Sequence, residues 1–502
     1  MPDVALQADG FALSRLDRRG PLDVGAEEGA RLLAAAASLL VEHAEQVVDG
    51  PVAPREPVDG PVRDWLAGYD FGTPRPAAEV LAEVMAALRN WTVHTTHPRY
   101  FGLFNPTPTW WGVAGELLAA GVNPQLAAHS HAPAAVEMER HVLRFLGARL
   151  GMPVTAEGSF TVGGAEANLT AVIVALTRRF ASYPDTGLVG LPGRPVFYAS
   201  AESHLAWLKI AHLTGLGRQA VRLVPVDASH RMDLDRFRRL HDTDLAAGKV
   251  PFLLVGTAGT TGGGALDPLA EMADVASELG LHFHVDAAWG GAIALSDRLR
   301  PLLAGVHAAD SVTVDAHKWL SAPMGAGMFL TPHAEALAHS FRVATAYMPA
   351  DAEGVADPYT TSVQWSRRHI GLKVFLALAA AGRPAFAEQL ERDVALGVLL
   401  ARRLDENGWH RINDTPLPVV CVVDREADAW GDGTSRAWHT AVADHVVRSG
   451  LAWVSPVLLD GRAAVRLCVT SHRTTARDID VVVSALNAAR TAMASRRDDT
   501  PR

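Results

Sequence analysis

The sequence predicts an α/β protein built on a mostly parallel sheet, and three observations carry that reading. From about residue 157, short apolar runs alternate with helical patterns. The runs SFTV, PVFYAS, AVRLVPV, PFLLVGTAG, HFHVDAA, SVTVDA and GMFL are largely apolar along their length, as strands buried on both faces are. Helical spacing fills the gaps at 165–180, 205–213 and 268–279, as expected where helices cover both faces of a parallel sheet.

The remaining elements follow in order. Residues 26–49 carry Leu32, Leu33, Leu39, Leu40 and Val47 on a broad helical stripe. The Pro/Gly-rich stretch PVAPREPVDGPVRD then predicts an extended arm. Helices are expected at 77–90, 112–122 and 134–150. After Lys373 a long helical stretch runs to about 407, PVVCVVD and AVRLCVTS read as strands, and a last helix covers 476–494. This divides the chain into an N-terminal arm with helices (1–110), a large domain (111–375) and a small C-terminal α/β domain (376–502). No internal repeat is visible.

Composition narrows the function. The 502 residues are 49% hydrophobic and 20% charged, with a net charge of -9, so no basic field exists to draw nucleic acid or anionic lipid. No apolar run approaches the roughly 18 residues of a membrane helix. The first twenty residues lack an apolar signal core, so a cytoplasmic protein is expected. The two cysteines, Cys421 and Cys468, are too few for a disulfide framework and are expected to be buried. Among 46 basic residues the only lysines are Lys209, Lys249, Lys318 and Lys373. Arginine stays protonated and delocalised, so any imine chemistry must use one of these four.

Four segments at predicted strand ends carry chemistry, where open α/β sheets bind ligands. In GSFTVGGAEANLTA a strand meets Gly163-Gly164 and then a helix. Backbone N–H groups at such a helix start favour an anion, so a phosphate would sit on Gly164 and Ala165; a plain turn is the alternative. Asp286 ends the strand HFHVD, where a carboxylate is costly without a partner. A protonated pyridine nitrogen is one such partner, and a capped turn is the other reading. Ala287 and Ala288 are small enough to admit a flat ring. His282 and His284 share a strand face but have no third ligand nearby, so no metal is expected. Lys318 follows a strand and precedes a Pro/Gly turn, where burial would leave a neutral, nucleophilic amine. The adjacent His317 reaches for a phosphate or carboxylate, unless it is simply a satisfied core histidine. His204, after the strand of YASAESH, projects over the same sheet edge.

Together, TVGGAEANLTA, ESHLAWLKIA, HVDAAWGGA and VDAHKWL resemble the group II pyridoxal-phosphate decarboxylases, relatives of the aromatic amino-acid and glutamate decarboxylases. The likeness extends to HPRYFGLFNPTPT and SVQWSRRHIGLK, spanning roughly residues 90–375. It implies a type I, aspartate-aminotransferase-like fold and an obligate homodimer. It also implies α-decarboxylation of an L-amino acid to the amine and carbon dioxide. By resemblance, Lys318 holds pyridoxal 5'-phosphate as a Schiff base and Asp286 holds the ring nitrogen. His204 stacks on the ring and Ala288 meets its other face. Gly164, Ala165, Ser311 and His317 form the phosphate side, with Thr257 near the ring and substrate. Asp315 stands where relatives often carry asparagine. Tyr359, in DAEGVADPYTTS, resembles the proton donor of a mobile catalytic loop. Relatives with phenylalanine there release an aldehyde with oxygen, so an aldehyde synthase is the alternative activity.

For the substrate, the resemblance points to the segment 97–111, with Phe104, Asn105 and Thr107 as contacts. Trp110 and Trp111 add aromatic surface that also suits plain packing. Glutamate-specific relatives carry Asn-Gln where this chain has Gly102-Leu103, so glutamate is not expected. An aromatic or other non-glutamate amino acid is the first reading. An acidic or carrier-protein-tethered aminoacyl substrate is the alternative.

Overall fold

The computed structural model describes residues 19–20, 22–343 and 356–498. It comprises two units, Met1–His94 and Thr95–Arg502. The first contains α1 (Gly25–Gln46), α2 (Asp59–Leu66) and α3 (Ala77–Trp91). α1 is rich in leucine and alanine yet buries no residue, and Leu33, Leu40 and Val41 stand exposed. The Pro/Gly stretch is not wholly extended, because α2 begins inside it at Asp59. Pro61 falls in the first turn of α2, where a missing N–H breaks no helix bond.

The second unit is built on β1 (Glu157–Thr161), β2 (Arg194–Ser200), β3 (Val221–Val224), β4 (Lys249–Thr257), β5 (His282–Asp286), β6 (Ser311–Asp315) and β7 (Gly327–Thr331). Their order is β1-β7-β6-β5-β4-β2-β3. The pairs from β6 to β3 are parallel, and β7 alone runs against both its neighbours. β5, β6 and β7 are buried along their whole length, which is why they read as unbroken apolar runs. α4 (Trp110–Val122), α5 (Pro133–Leu150) and α6 (Gly164–Arg179) follow the expected spans closely. The long helix Leu372–Glu406 is interrupted at Gly382, whose φ of +71° is left-handed, with Pro384 just beyond.

A second sheet joins β8 (Trp409–Arg411), β9 (Val419–Asp424), β10 (Ser455–Leu459) and β11 (Arg462–Cys468) in the order β10-β11-β9-β8. Helices Asp432–Ser449 and Ala476–Asp498 pack with it, the first of them unforeseen from the sequence. The two sheets share one apolar core, in which Val419, Cys421 and Cys468 cluster with Val285 and Trp289. Both cysteines are buried and unpaired, as expected. Residues 97–104 are tied to the second sheet: Phe101 donates its N–H to Trp453 O at 2.9 Å and accepts one from Cys468 at 2.9 Å. That is why the break between units falls at His94, ahead of the boundary at 110 expected from the order of elements. Among the described residues no helix is long and apolar enough to cross a membrane.

A stack of planar groups runs through this core. Trp289 lies between Trp319, with centroids 4.7 Å apart, and Phe104, at 4.2 Å, both tilted by only 15°. With one face of Phe104 covered by Trp289, the guanidinium of Arg466 lies over the other at 4.6 Å. Trp319 donates its Nε1–H to Asp393 Oδ2 at 2.9 Å. Burial pushes the Asp393 carboxyl up to about 7.

Two outcomes are expected. A Cβ on Gly327 would meet Thr161 and stand 2.6 Å from Gly163 Cα, so Gly327→Ala should lower stability by about 1–3 kcal/mol in urea denaturation. Asp393 binds its proton more tightly folded than unfolded, since its pKa is raised from 3.8 to about 7. Its contribution is therefore full below pH 3.8 and is lost as pH climbs towards about 7. Urea midpoints should carry this decline, and Asp393→Asn should flatten it across the same window.

Candidate active site

The carboxyl ends of β4, β5 and β6 and the start of α6 converge on a cavity of about 250 Å³. Because β1 is antiparallel to β7, and β7 to β6, the chain leaving β1 also arrives at this edge. Eleven of the residues singled out in the sequence line the cavity: Phe104, Gly163, Gly164, Ala165, His204, Thr257, Asp286, Ala288, Asp315, His317 and Lys318.

Asp286 ends β5 and is buried. Its Oδ1 accepts the N–H of Ala288 at 3.2 Å, and its Oδ2 accepts from Asn168 Nδ2 at 2.8 Å. Asn168 was not foreseen, although an asparagine among the buried positions of α6 was a readable signal. Lys318 sits in the turn after β6, its side chain about a quarter exposed at 24%, with Nζ 3.1 Å from Asp315 Oδ2. The other Asp315 oxygen is buried without a hydrogen-bond partner. The remaining lysines are engaged elsewhere or exposed. Lys249 pairs with Asp244 at 2.8 Å, Lys373 pairs with Glu116 and the Met324 carbonyl, and Lys209 is exposed.

His317 accepts the Ala326 N–H on Nδ1 at 3.1 Å, and burial lowers its pKa. As a neutral ring it therefore carries its proton on Nε2, which lies 3.8 Å from Asp315 Oδ2. His204 likewise accepts the Ala206 N–H on Nδ1 at 3.1 Å, which leaves Nε2 free of the backbone. Thr257 Oγ1 lies 3.1 Å from Ser203 Oγ, and its N–H donates to the buried Asp267 at 2.8 Å. Gly164 is a true close approach. A Cβ there would stand 2.9 Å from Asp315 Oδ2 and 3.2 Å from the methyl of Ala288.

Four expected residues fall outside the cavity. Ser311 is the first residue of β6, whereas the cavity lies at the far end beyond Asp315. Its hydroxyl lies 2.8 Å from both His282 Nε2 and His284 Nδ1, so it is not a phosphate ligand. Thr107 is buried, donating to Thr96 O at 2.8 Å and lying 3.3 Å from Ser471 Oγ, so it has no free hydroxyl for a substrate. Asn105 is half-buried and does not line the cavity. Tyr359 lies on the short turn Pro358–Thr360, buried against Trp365 with ring centroids 4.8 Å apart, and does not line it either. Much of the segment before Tyr359, residues 351–355, lies outside the described residues. Trp110 and Trp111 stand about half exposed at the start of α4. The His282–His284 pair recruits no third ligand: among the described residues no cluster is suited to a metal ion.

Arg466 on β11 was missed entirely. It is buried, donates NH1 to the Gly102 carbonyl, and leaves Nε and NH2 without hydrogen-bond partners. No carboxylate pairs with it among the described residues.

The cavity fits pyridoxal phosphate on the chemistry of its lining. It offers an amine for an aldehyde, a carboxylate for a pyridine nitrogen, flat walls for a ring, and a helix start beside a glycine cradle for a phosphate. Comparison with known proteins agrees. A Bacillus atrophaeus aromatic-L-amino-acid decarboxylase is 26% identical over 476 residues, covering 93% of this chain and 96% of its own. A Homo sapiens cysteine sulfinic acid decarboxylase is 35% identical over 352 residues, covering 68% of this chain and 70% of its own. The solved structure of Oryza sativa TDC with PLP and tryptamine shares the fold, with a TM-score of 0.89 at 24% identity over 95% of this chain and 100% of that one. Residues 72–423, which include Asp286 and Lys318, match the pyridoxal-dependent decarboxylase conserved domain, and the chain belongs to that family.

Proposed function

We propose that this pyridoxal-phosphate-dependent L-amino-acid decarboxylase acts on a substrate with a short anionic side chain. Arg466 carries the reading. A buried guanidinium with two unpartnered nitrogens is costly, and an anion is the group that neutralises it. Phe104, the cavity wall that Arg466 covers, has Trp289 on its other face, so neither face is left to stack on an aromatic substrate. Arg466 does not itself line the cavity but lies over Phe104, which does; Trp110 and Trp111 do not line it. The 35% identity to a cysteine sulfinic acid decarboxylase, an enzyme named for an acidic substrate, supports the same choice.

In this reading Lys318 would hold the cofactor through its aldehyde and Asp286 would hold its ring nitrogen; both line the cavity. Ala288 and His204 would hold the ring, Gly164, Ala165 and His317 would hold the phosphate, and Thr257 would meet the ring side, all of them lining the cavity. Bound there, pyridoxal phosphate supplies a sink for the electron pair left when the carboxylate departs. His204, with its Nε2 free of the backbone, orients the substrate's α-carboxylate. Phe104 and Trp289 exclude water from that side. Lys318, its Nζ 3.1 Å from Asp315 Oδ2, is the amine of the cavity, and we take it in place of Tyr359 as the proton donor to the α-carbon.

We also propose a homodimer, which the unburied apolar faces of α1 and of α4 at Leu117 and Leu118 support. A cytoplasmic setting suits two buried thiols left unpaired.

Carbon dioxide release should be measured across free L-amino acids. The fastest release is expected from aspartate or cysteine sulfinate; fastest release from an aromatic amino acid would reject the reading. Arg466→Met should raise KM for the acidic substrate by roughly tenfold or more while kcat changes far less. Lys318→Ala should abolish both release and the long-wavelength absorbance of the bound cofactor.

A further inference from the structure

Behind Asp286 runs a line of polar side chains that the chemistry at Lys318 does not use. Asn168 Oδ1 lies 3.1 Å from His284 Nε2, and His284 Nδ1 lies 2.8 Å from Ser311 Oγ. Ser311 Oγ is also 2.8 Å from His282 Nε2, and His282 Nδ1 is 2.9 Å from Arg178 NH1. Asn168, His284, Ser311 and His282 are all buried. Arg178 is a third exposed, and it borders a cavity of about 370 Å³ that also meets His282 and Asp310 at the other edge of the sheet.

The ends of this line fix every proton along it. A guanidinium only donates and a carboxylate only accepts. Arg178 therefore donates to His282 Nδ1, which leaves the ring proton on Nε2 and directs it to Ser311. Ser311 must then give its single proton to His284 Nδ1, and His284 Nε2–H points to Asn168 Oδ1. That orientation of the amide turns Nδ2 onto Asp286 Oδ2, at 2.8 Å. Burial holds both histidines down to about 3, so both rings are neutral with one proton each, as the direction requires. Thr313 Oγ1, 3.5 Å from His284 Nε2, lies close enough to share that proton. Outside the line, Asp310 lies 2.9 Å from Arg178 and 2.6 Å from His333, so the cationic end is anchored.

We infer that Arg178, His282, Ser311, His284 and Asn168 form one directed hydrogen-bond relay that runs along one face of the sheet beneath α6 and holds Asp286 as an ionised acceptor aimed at the cofactor's ring nitrogen. The inference rests on the reading that Asp286 meets that nitrogen. Aligned bonds polarise one another, so the relay stabilises negative charge on Asp286 beyond the single contact from Asn168. It also fixes the rotamer of a carboxylate that has no other side-chain donor among the described residues. Asn168, His284 and Ser311 are positioning residues, acting through Asp286 and not on the substrate.

The test separates the ring nitrogen from everything else in the site. The full chain, stripped of cofactor, is titrated with pyridoxal phosphate and with an analogue carrying C–H in place of the ring nitrogen. The native chain should prefer pyridoxal phosphate, and Asp286→Ala should erase that preference. Ser311→Ala and Asn168→Leu should each cut the preference by about threefold to thirtyfold, with little effect on binding of the analogue. Equal weakening of both ligands, or an unchanged preference, in these two variants overturns the relay while the loss in Asp286→Ala keeps the site reading. A preference that survives Asp286→Ala overturns the site reading, and the relay with it. The two relay substitutions lie on different elements, so loss of fold in one leaves the other to decide.

Discussion

A carboxylate buried at the end of a parallel strand is the constraint around which this active region is organised. Taking an ion such as Asp286 out of water costs several kcal/mol unless donors replace the hydration shell. Two donors do so from different directions. The N–H of Ala288 comes from the turn after the strand, and Asn168 comes from the helix that covers the sheet. The requirement then propagates, because an asparagine that gives its amide to a carboxylate must itself be oriented. The histidine–serine–histidine line in β5 and β6 supplies that orientation. A polar seam through an otherwise apolar sheet is thus explained by the ion at one end of it.

The opposite wall of the cavity is held by shape. Trp319 immediately follows Lys318 in the chain, and Trp289 lies three residues beyond Asp286. Their stacking couples the two segments that carry Lys318 and Asp286, so neither turn moves without disturbing a large buried contact. The stack continues through Phe104 to Arg466, linking the first sheet to the second. Strand β7, reversed against its neighbours, adds a steric limit: Gly327 packs so closely on Gly163 that the turn before α6 has little room to open.

Much of this was legible in the chain. Strands buried on both faces announce themselves as apolar runs, and β5, β6 and β7 were found in that way. Helix Asp432–Ser449 was not, because Trp438 and His439 sit among serines, threonines and charges that blur its stripe. Lys318 and Asp286 were readable because their local sequence contains the reason for their position. Ser311 was misjudged since proximity to a strand says nothing about which end of it meets the cavity. Thr107 was misjudged because its partner, Ser471, is 364 residues away. Arg466 comes from the second sheet, and only the folded core brings it onto Phe104. Long-range packing of this kind leaves no trace in spacing or periodicity.

The disposition of the lysines has a consequence for chemical selectivity. An aldehyde reacts with any free amine it meets, and a protein surface studded with lysines offers many wrong addresses. Here two of the four lysines are already occupied, Lys249 by Asp244 and Lys373 by Glu116, and Lys209 stands in the open where an imine is readily hydrolysed. The chain therefore gives an arriving aldehyde few places to be mislaid, and fidelity of cofactor loading is written into the scarcity of competing amines as much as into the cavity that receives it.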